Sequence, residues 1–351
     1  MVNWRAGNGH FEFNLTPADA SVMQRLTLSC LISLASFSFL LALLSDADAS
    51  VTTFGTGSNQ FDMTFVEIGN PNNPGDTTGK PNPAGSVAYK YQMGKYEVSE
   101  GMIDKFNASQ SLTIGHGSRG ADKPVTSVTW NEAARFVNWM NTSQGHQAAY
   151  NFTSNGVNDD IALWSSEEAW QLGGENLFRH KDAYYFLPST DEWYKAAYYE
   201  PVSETYFDYP SSDGSKPTAV ASGTDPNTAI YDQTVPADVT QAGGLNPYGI
   251  MAMAGNASEW EESWYYASNN TVSSPRASRG GYWSDGNTLS STTRYSRLPN
   301  NGSIYFGFRV ASVASADADA GAENVIPEPG SLAVWSLLGL AGFHVSRRFK
   351  K

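Results

Sequence analysis

The chain has 351 residues, with 35 Asp and Glu against 22 Lys and Arg, and carries a net charge of −13 at pH 7. A surface this acidic repels nucleic acid, whose binding depends on neutralising phosphates, so we expect no nucleic-acid partner. A single cysteine excludes a disulfide scaffold.

The first predicted element is a secretory signal peptide that begins at Met23. A short basic lead precedes the apolar run Leu26–Leu44, and Ala47-Asp48-Ala49 then offers an A-x-A cleavage site. We expect translation to start at Met23 rather than at the first residue, because nothing upstream serves such a signal. Residues 1–49 are therefore assigned to an N-terminal extension and signal peptide. Cys30 lies within it, so the exported chain should have no thiol chemistry.

Two helical patterns come next in chain order. The weaker one starts at Ser99. The segment PVTSVTWNEAARFVNWMN predicts a strand over Val125–Trp130 and then a helix capped by Asn131. The buried face predicted for this helix consists of Ala133, Phe136, Val137 and Met140.

A third helical pattern, YYFLPSTDEWYKAAYYE, follows a predicted strand over Tyr184–Leu187. Ser189 and Glu192 have the spacing of a capping box. The predicted buried face consists of Trp193, Ala196 and Ala197. Beyond Tyr199 the pattern is one of turns and short strands. Two or three helices among short strands and long loops indicate an α+β fold.

The chain ends in two segments of unusual composition. Residues 314–326 are rich in Ala and Asp, which is typical of a disordered linker. Residues 327–351 contain Pro327-Glu328-Pro329, the short apolar segment Leu332–Val345 and a basic terminus. Together these parts resemble the PEP-CTERM sorting signal of Gram-negative bacteria. An ordinary C-terminal anchor is the alternative.

The sorting-signal resemblance implies a partner and a location. The partner is an exosortase-type sorting enzyme that removes the tail. The short hydrophobic helix anchors the chain transiently in the inner membrane, although a stable span usually takes about twenty residues. The final location is the cell surface or the extracellular space.

Seven motifs within residues 50–313 occur in an order that resembles a known family. They are KYEVSEGMIDKF, KPVTSVTWNEAARFVNWMN, YFLPSTDEWYKAAYY, GGLNPYGIMAMAGNASEWEES, SRGGYWSD, TRYSR and YFGFRVAS. Their succession is similar to that of the formylglycine-generating enzymes, or sulfatase-modifying factors. The resemblance implies one loop-rich domain with the α+β, C-type-lectin-like fold of that family, containing two or three helices and short antiparallel strands.

The chemistry of the family does not transfer with its motifs. Active members oxidise a substrate cysteine with copper held by two cysteines, and Ser290 and Tyr295 stand near those two positions here. Neither side chain is a thiolate, which a Cu(I) site requires. We therefore expect no copper and no formylglycine-generating activity, and we assign no catalytic residue. The histidines of the body, His116, His146 and His180, lack the spacing of a metal site.

The stretch MAGNASEWEES places three glutamates beside a tryptophan. In the family the matching block wraps a structural calcium ion. The calcium ligands that the resemblance implies are Ala254, Gly255, Ala257 and Glu259. The alternative is an acidic turn in which Glu261 and Glu262 are solvated. We interpret Arg279 and Arg309 as buried arginines that pair with carboxylates.

Three functions remain open, because one scaffold hosts many functions. We favour an exported, non-catalytic binding or structural module, associated with exopolysaccharide or biofilm matrix or with an extracellular protein. The residues expected in its ligand cleft are Trp283, Ser290, Tyr295 and Tyr305. The alternative is an enzyme of altered, cysteine-independent chemistry, an oxygenase or hydrolase, in the same cleft. A surface coat protein is the third.

Overall fold

Three helices and seventeen short strands make up the regular structure of the described residues, which are 49–154, 156, 161–265 and 272–314 in the computed structural model. The helices are α1 (Glu100–Ser109), α2 (Trp130–Ser143) and α3 (Thr190–Tyr198), and a 3₁₀ turn covers Gly57–Asn59. The α+β fold class is thus confirmed. Within the described ranges no helix is both long and apolar enough to cross a membrane. The hydrophobic segments predicted near both ends lie outside those ranges.

The strands are short and are spread along the chain. In order they are β1 (Ala49–Phe54), β2 (Phe61–Ile68), β3 (Tyr91–Gly94), β4 (Asn151–Phe152), β5 (Ile161–Ala162), β6 (Ala169–Trp170), β7 (Asn176–His180), β8 (Tyr185–Phe186), β9 (Tyr199–Glu200), β10 (Thr205–Tyr206), β11 (Thr218–Ala219), β12 (Thr228–Ala229), β13 (Ser258–Trp264), β14 (Arg276–Arg279), β15 (Tyr295–Arg297), β16 (Phe306–Gly307) and β17 (Ala311–Val313). The first strand begins one residue before the predicted signal cleavage point, which stays a prediction.

Two sheets organise these strands. The larger has the order β1-β2-β3-β17-β8 and is antiparallel throughout. The second has the order β15-β14-β13-β16, with β13 and β16 parallel. The remaining strands form two-stranded pairs, β4–β5, β6–β7, β9–β10 and β11–β12. The first strands of the domain therefore share a sheet with its last strand.

The cap of helix α2 lies two residues before the predicted one. The Thr129 side chain accepts a hydrogen bond from the Glu132 amide, and the Glu132 carboxylate accepts one from the Thr129 amide, so Thr129 and not Asn131 is the cap. The predicted strand over Val125–Trp130 is wrong. Ser127 has φ +68°, a left-handed conformation that interrupts any strand there. The predicted buried face of α2 is confirmed.

The other two helix starts agree with the predictions. Ser99 caps α1 by accepting from the Met102 amide, and Ser189 and Glu192 form the capping box of α3. The strand predicted before α3 is shorter than expected, because only Tyr185 and Phe186 pair.

Aromatic side chains fill two clusters of the hydrophobic core. One cluster surrounds α2 and includes Trp130, Phe136, Trp260 and Phe308. The other surrounds α3 and includes Tyr91, Trp193, Tyr194 and Tyr198. Each such ring buries roughly 150–250 Å². The Trp260 indole also donates a hydrogen bond to the Val128 carbonyl at 3.1 Å, so this tryptophan anchors the core.

Candidate functional site

The three glutamates of β13 are buried, and each one faces a different arginine. The pairs are Glu259 with Arg309 at 2.5 Å, Glu261 with Arg279 at 2.6 Å and Glu262 with Arg179 at 2.8 Å. The alternative of solvated Glu261 and Glu262 is wrong, since only 0% and 1% of these residues is exposed. The interpretation of Arg279 and Arg309 as buried, carboxylate-paired arginines is confirmed.

Both carboxylate oxygens of Glu259 have partners inside the protein. Oε1 accepts from Arg309 Nη2 at 2.5 Å, and Oε2 accepts from Arg309 Nε and from Trp193 Nε1, both at 2.6 Å. A guanidinium this close repels a divalent cation. The Glu259 carboxylate therefore does not fit a calcium ligand in this arrangement.

The neighbouring calcium candidates belong to a tight loop. Gly255 has φ +78°, and a Cβ there would lie 2.1 Å from the Ile230 carbonyl oxygen. The Gly255 amide donates to Gly280, and the Ala257 amide donates to Glu97. The loop backbone is thus shaped by protein contacts, with Ala254 buried beside it. Calcium binding stays a prediction, and elemental analysis with melting curves in the presence and absence of EGTA tests it.

The histidines of the domain have separate neighbours. His116 lies 3.0 Å from Asp104, His146 stacks on Tyr184 at 4.6 Å, and His180 meets Trp164 edge-on at 4.7 Å. Among the described residues, no three His, Cys, Asp or Glu side chains are grouped so as to hold a metal ion.

The residues predicted for the ligand cleft are brought together only in part. The ring centroids of Tyr305 and Trp283 are 5.1 Å apart. The Tyr282 ring connects this pair to Tyr295, because it stacks on Tyr305 at 4.2 Å and lies 6.3 Å from the Tyr295 ring. Ser290 instead hydrogen-bonds to neighbouring threonines. Trp283 is 4% exposed and offers little surface to a ligand. A ligand at these aromatic residues stays a prediction.

A cavity of about 710 Å³ opens elsewhere in the domain, where sequence reasoning had placed no site. Its walls come from residues 81–89, the β6–β7 hairpin, the start of α3, the end of β13 and Arg294. The partly exposed rings within it are Tyr89, Trp264 and Tyr265. Its volume lies within the range of small-molecule sites, roughly 300–1,000 Å³.

The floor of this cavity is a buried ion-pair network centred on Arg179. The guanidinium donates to Glu192 at 2.7 and 2.9 Å and to Glu262 at 2.8 and 3.0 Å. It lies 3.6 Å from the Phe186 ring centroid, and the Tyr89 hydroxyl donates to Glu192 at 2.7 Å. Burial works to raise the pKa of Glu192, but Arg179 and these hydrogen bonds outweigh it and hold that pKa below its usual value.

This network does not resemble an acid–base pair. A hydrolase with two carboxylates needs one of them protonated to serve as the general acid. Glu192 has a lowered pKa, which does not suit a proton donor. The network instead fixes the Tyr89 ring and the cavity floor in one position, which suits binding.

The cavity could not be found from local patterns. Arg179 and Glu262 are 83 residues apart in the chain, and five separate segments form the walls. The only local signal was the capping box of Glu192, which does not reveal that the same carboxylate also meets Arg179.

A model of the sulfatase-modifying factor enzyme 1-like domain matches residues 53–314 of the chain. The chain belongs to this family. Chaperone protein LppX of Paenibacillus barcinonensis is 26% identical over 209 residues, which covers 55% of this chain and 69% of that protein. Residues 53–314 thus form a sulfatase-modifying-factor-like domain. The segment that resembles a sorting signal, residues 327–351, lies outside the described ranges.

Two solved structures share the fold of this sulfatase-modifying-factor-like domain. Treponema denticola variable protein 1 superposes with a TM-score of 0.52 at 20% identity, covering 75% of this chain and 99% of that one. CarF superposes with a TM-score of 0.50 at 19% identity, covering 71% and 98%. At these identities the likeness concerns the fold alone.

Proposed function

We propose that this protein is an exported, non-catalytic binding module that holds a glycan in the 710 Å³ cavity. The observation that carries the proposal is the combination of partly exposed aromatic rings with hydrogen-bonding side chains in one cavity. Sugar rings present apolar C–H faces and hydroxyl edges, so they stack on aromatic rings while their hydroxyls bond to polar groups.

The aromatic part of the cavity is well supported from below. The Trp264 ring packs against Phe178 at 5.5 Å, and Tyr89 is fixed by its hydrogen bond to Glu192. Rings held in this way lose little freedom when a ligand stacks on them, which favours affinity. Leu172, which is 54% exposed, extends the apolar surface at the rim.

The polar part of the cavity supplies acceptors and donors for hydroxyl groups. Asp191 and Glu175 are exposed at the rim, and Ser263 and Asn176 lie deeper. Asp191 is positioned by the hydrogen bond that its Oδ1 accepts from the Gly85 amide at 2.7 Å. Fixed carboxylates of this kind accept hydrogen bonds from vicinal hydroxyls, which is the chemistry of sugar recognition.

The proposed cellular location rests on the segments near the two ends of the chain. The signal-like segment at residues 23–49 supports export, and the PEP-CTERM-like segment at residues 327–351 supports sorting by an exosortase-type enzyme to the cell surface. An extracellular polysaccharide or biofilm matrix is therefore the proposed source of the glycan.

Titration of the purified protein with neutral and acidic oligosaccharides tests the function. The Trp264→Ala variant should bind roughly tenfold or more weakly, because it loses a stacking surface in the cavity. The matched control is Tyr305→Ala, which removes a partly buried ring from the aromatic group around Trp283, formed by Tyr282, Trp283, Tyr295 and Tyr305. It should melt as a folded protein and bind like the parent.

Three results would contradict the proposal. If no oligosaccharide binds, the protein is not a glycan-binding module. If Tyr305→Ala abolishes binding and Trp264→Ala does not, the ligand lies at the aromatic group around Trp283 and not in the cavity. Turnover of a bound oligosaccharide would favour the enzyme alternative.

A further inference from the structure

Arg294 is a partly buried cation on the cavity wall whose charge is incompletely matched. Its side chain is 10% exposed, and it lines the cavity beside the Tyr265 ring at 4.7 Å. The hydrogen bond from its Nη2 to Thr190 is long, at 3.4 Å, and its Nε–H finds no acceptor among the described residues. Its shortest ion-pair distance is 3.7 Å, to Glu261.

That carboxylate is already committed to other groups. Glu261 lies 2.6 Å from Arg279 and accepts a hydrogen bond from the Thr190 hydroxyl at 2.6 Å. Two guanidinium groups therefore share one carboxylate, and Arg294 is the more distant of the two. Burial lowers the pKa of Arg294 below the usual arginine value, and Glu261 offsets this only in part.

We propose that Arg294 binds the carboxylate of an acidic sugar, so that the glycan of this cavity contains uronic acid. This inference rests on the proposed function, because it names the class of glycan that the cavity takes. A planar guanidinium on a cavity wall can pair with a carboxylate through two parallel hydrogen bonds. The neighbouring rings of Tyr265 and Trp264 would stack on the sugar that carries it.

The rim of the cavity limits how much negative charge a ligand can bring. Asp191 and Glu175 are exposed there and would repel a densely charged chain such as a polyphosphate. The repulsion is smaller for a ligand with one charge per ring, because it scales with the charge of the ligand, and salt screens what remains. The same rim carboxylates accept hydrogen bonds from sugar hydroxyls, which a uronic acid retains.

Calorimetric titration with matched ligands tests this assignment on the full chain. The probes are oligosaccharides of galacturonic, glucuronic and mannuronic acid, each beside its carboxyl-reduced neutral counterpart. We expect at least one oligouronide to bind roughly 10- to 100-fold more tightly than its counterpart, as one charge-assisted hydrogen-bond pair would give.

Substitutions then locate the carboxylate. Arg294→Gln should remove the difference in affinity between the oligouronide and its neutral counterpart. The control is Arg297→Gln, which changes an arginine of the same segment that lies outside the cavity walls. It should leave both affinities unchanged.

The outcomes separate this inference from the function on which it rests. Equal affinity of the wild-type protein for an oligouronide and its neutral counterpart would overturn the inference and leave the glycan-binding function intact. Equally tight binding of an aspartate-rich peptide would also overturn it. If no oligosaccharide binds at all, the proposed function fails first.

Discussion

Glu97 lies near Glu259 of β13 and has a strongly raised pKa. It is buried, and its carboxylate accepts hydrogen bonds from the Asn256 side chain and the Ala257 amide. Burial, followed by the nearby negative charge of Glu259, raises its pKa to about 8, although Arg309 acts in the opposite direction. Near neutral pH, Glu97 should therefore take up a proton on folding.

The raised pKa of Glu97 predicts a pH-dependent stability. A carboxyl whose pKa rises from 4.5 when unfolded to about 8 when folded stabilises the protein most below pH 4.5, and this contribution is lost as the pH rises through 8. Glu97→Gln should remove this dependence, with a difference on the order of a few kcal/mol between pH 5 and pH 9. Urea unfolding of both proteins at several pH values measures it. Parallel pH curves for the two proteins would contradict the assignment.

The buried Glu–Arg pairs fix side-chain positions more than they add stability. Removing two charges from water costs several kcal/mol each, and their attraction repays this only with good geometry. Losing one partner, however, leaves an uncompensated charge, which typically costs about 3–5 kcal/mol. The pairs of β13 thus tie one strand to arginines from three other parts of the chain.

At the scale of elements, α2 and α3 start with the same capping box but in different surroundings. Glu132 of α2 serves its cap at Thr129, whereas Glu192 of α3 serves its cap and also the Arg179 guanidinium. The same residue type at the same helix position therefore has one role in α2 and two in α3.

Glutamine substitution should separate these two roles. Glutamine can replace glutamate in a capping box, so Glu132→Gln should cost less than about 1 kcal/mol of unfolding free energy. Glu192→Gln should cost roughly 3 kcal/mol or more, because Arg179 loses one of its two carboxylates inside the core. Chemical denaturation of both variants gives the comparison. Equal losses would mean that the Arg179 pair contributes nothing beyond the cap.

The helices could be predicted because their signals are local. Ser99 and Ser189 with Glu192 sit beside the apolar positions they introduce. The error at α2 arose because Thr129 and Asn131 are both good caps, and Glu132 three residues after Thr129 was the signal that distinguishes them. The cavity could not be predicted, since Arg179, Glu192 and Glu262 meet only through tertiary packing. The aromatic group of Trp283, Tyr295 and Tyr305 was predicted in part, because Tyr282, which connects these rings by stacking on Tyr305, was not among the predicted residues.

At the scale of the whole molecule, β17 occupies an inner position of the larger sheet. It pairs with β3 on one side and β8 on the other, and Ser312 faces Gln92 and Tyr185. The Ser312 hydroxyl also donates to the Gln92 side chain at 3.1 Å across 220 residues of chain. A strand of only three residues therefore joins two regions that are far apart in sequence.

Substitution of Ser312 should show how much depends on this strand. Ser312→Ala removes the side-chain hydrogen bond and should cost about 1 kcal/mol. Ser312→Pro also removes a backbone donor from an inner strand and should cost about 3 kcal/mol or more, enough to impair folding. Thermal melting and circular dichroism distinguish the two. If the proline variant melts like the alanine variant, β17 is not needed to hold the sheet together.

The position of β17 also sets when this domain can form during synthesis. A ribosome delivers β3 and β8 long before residues 311–313, so the growing chain carries two strands with unpaired edges until the last one emerges. Unpaired edges are the sites at which chains associate with one another. A product interrupted by stalled translation or by a protease before Ala311 would be aggregation-prone material for chaperones and degradation, and not a smaller working domain.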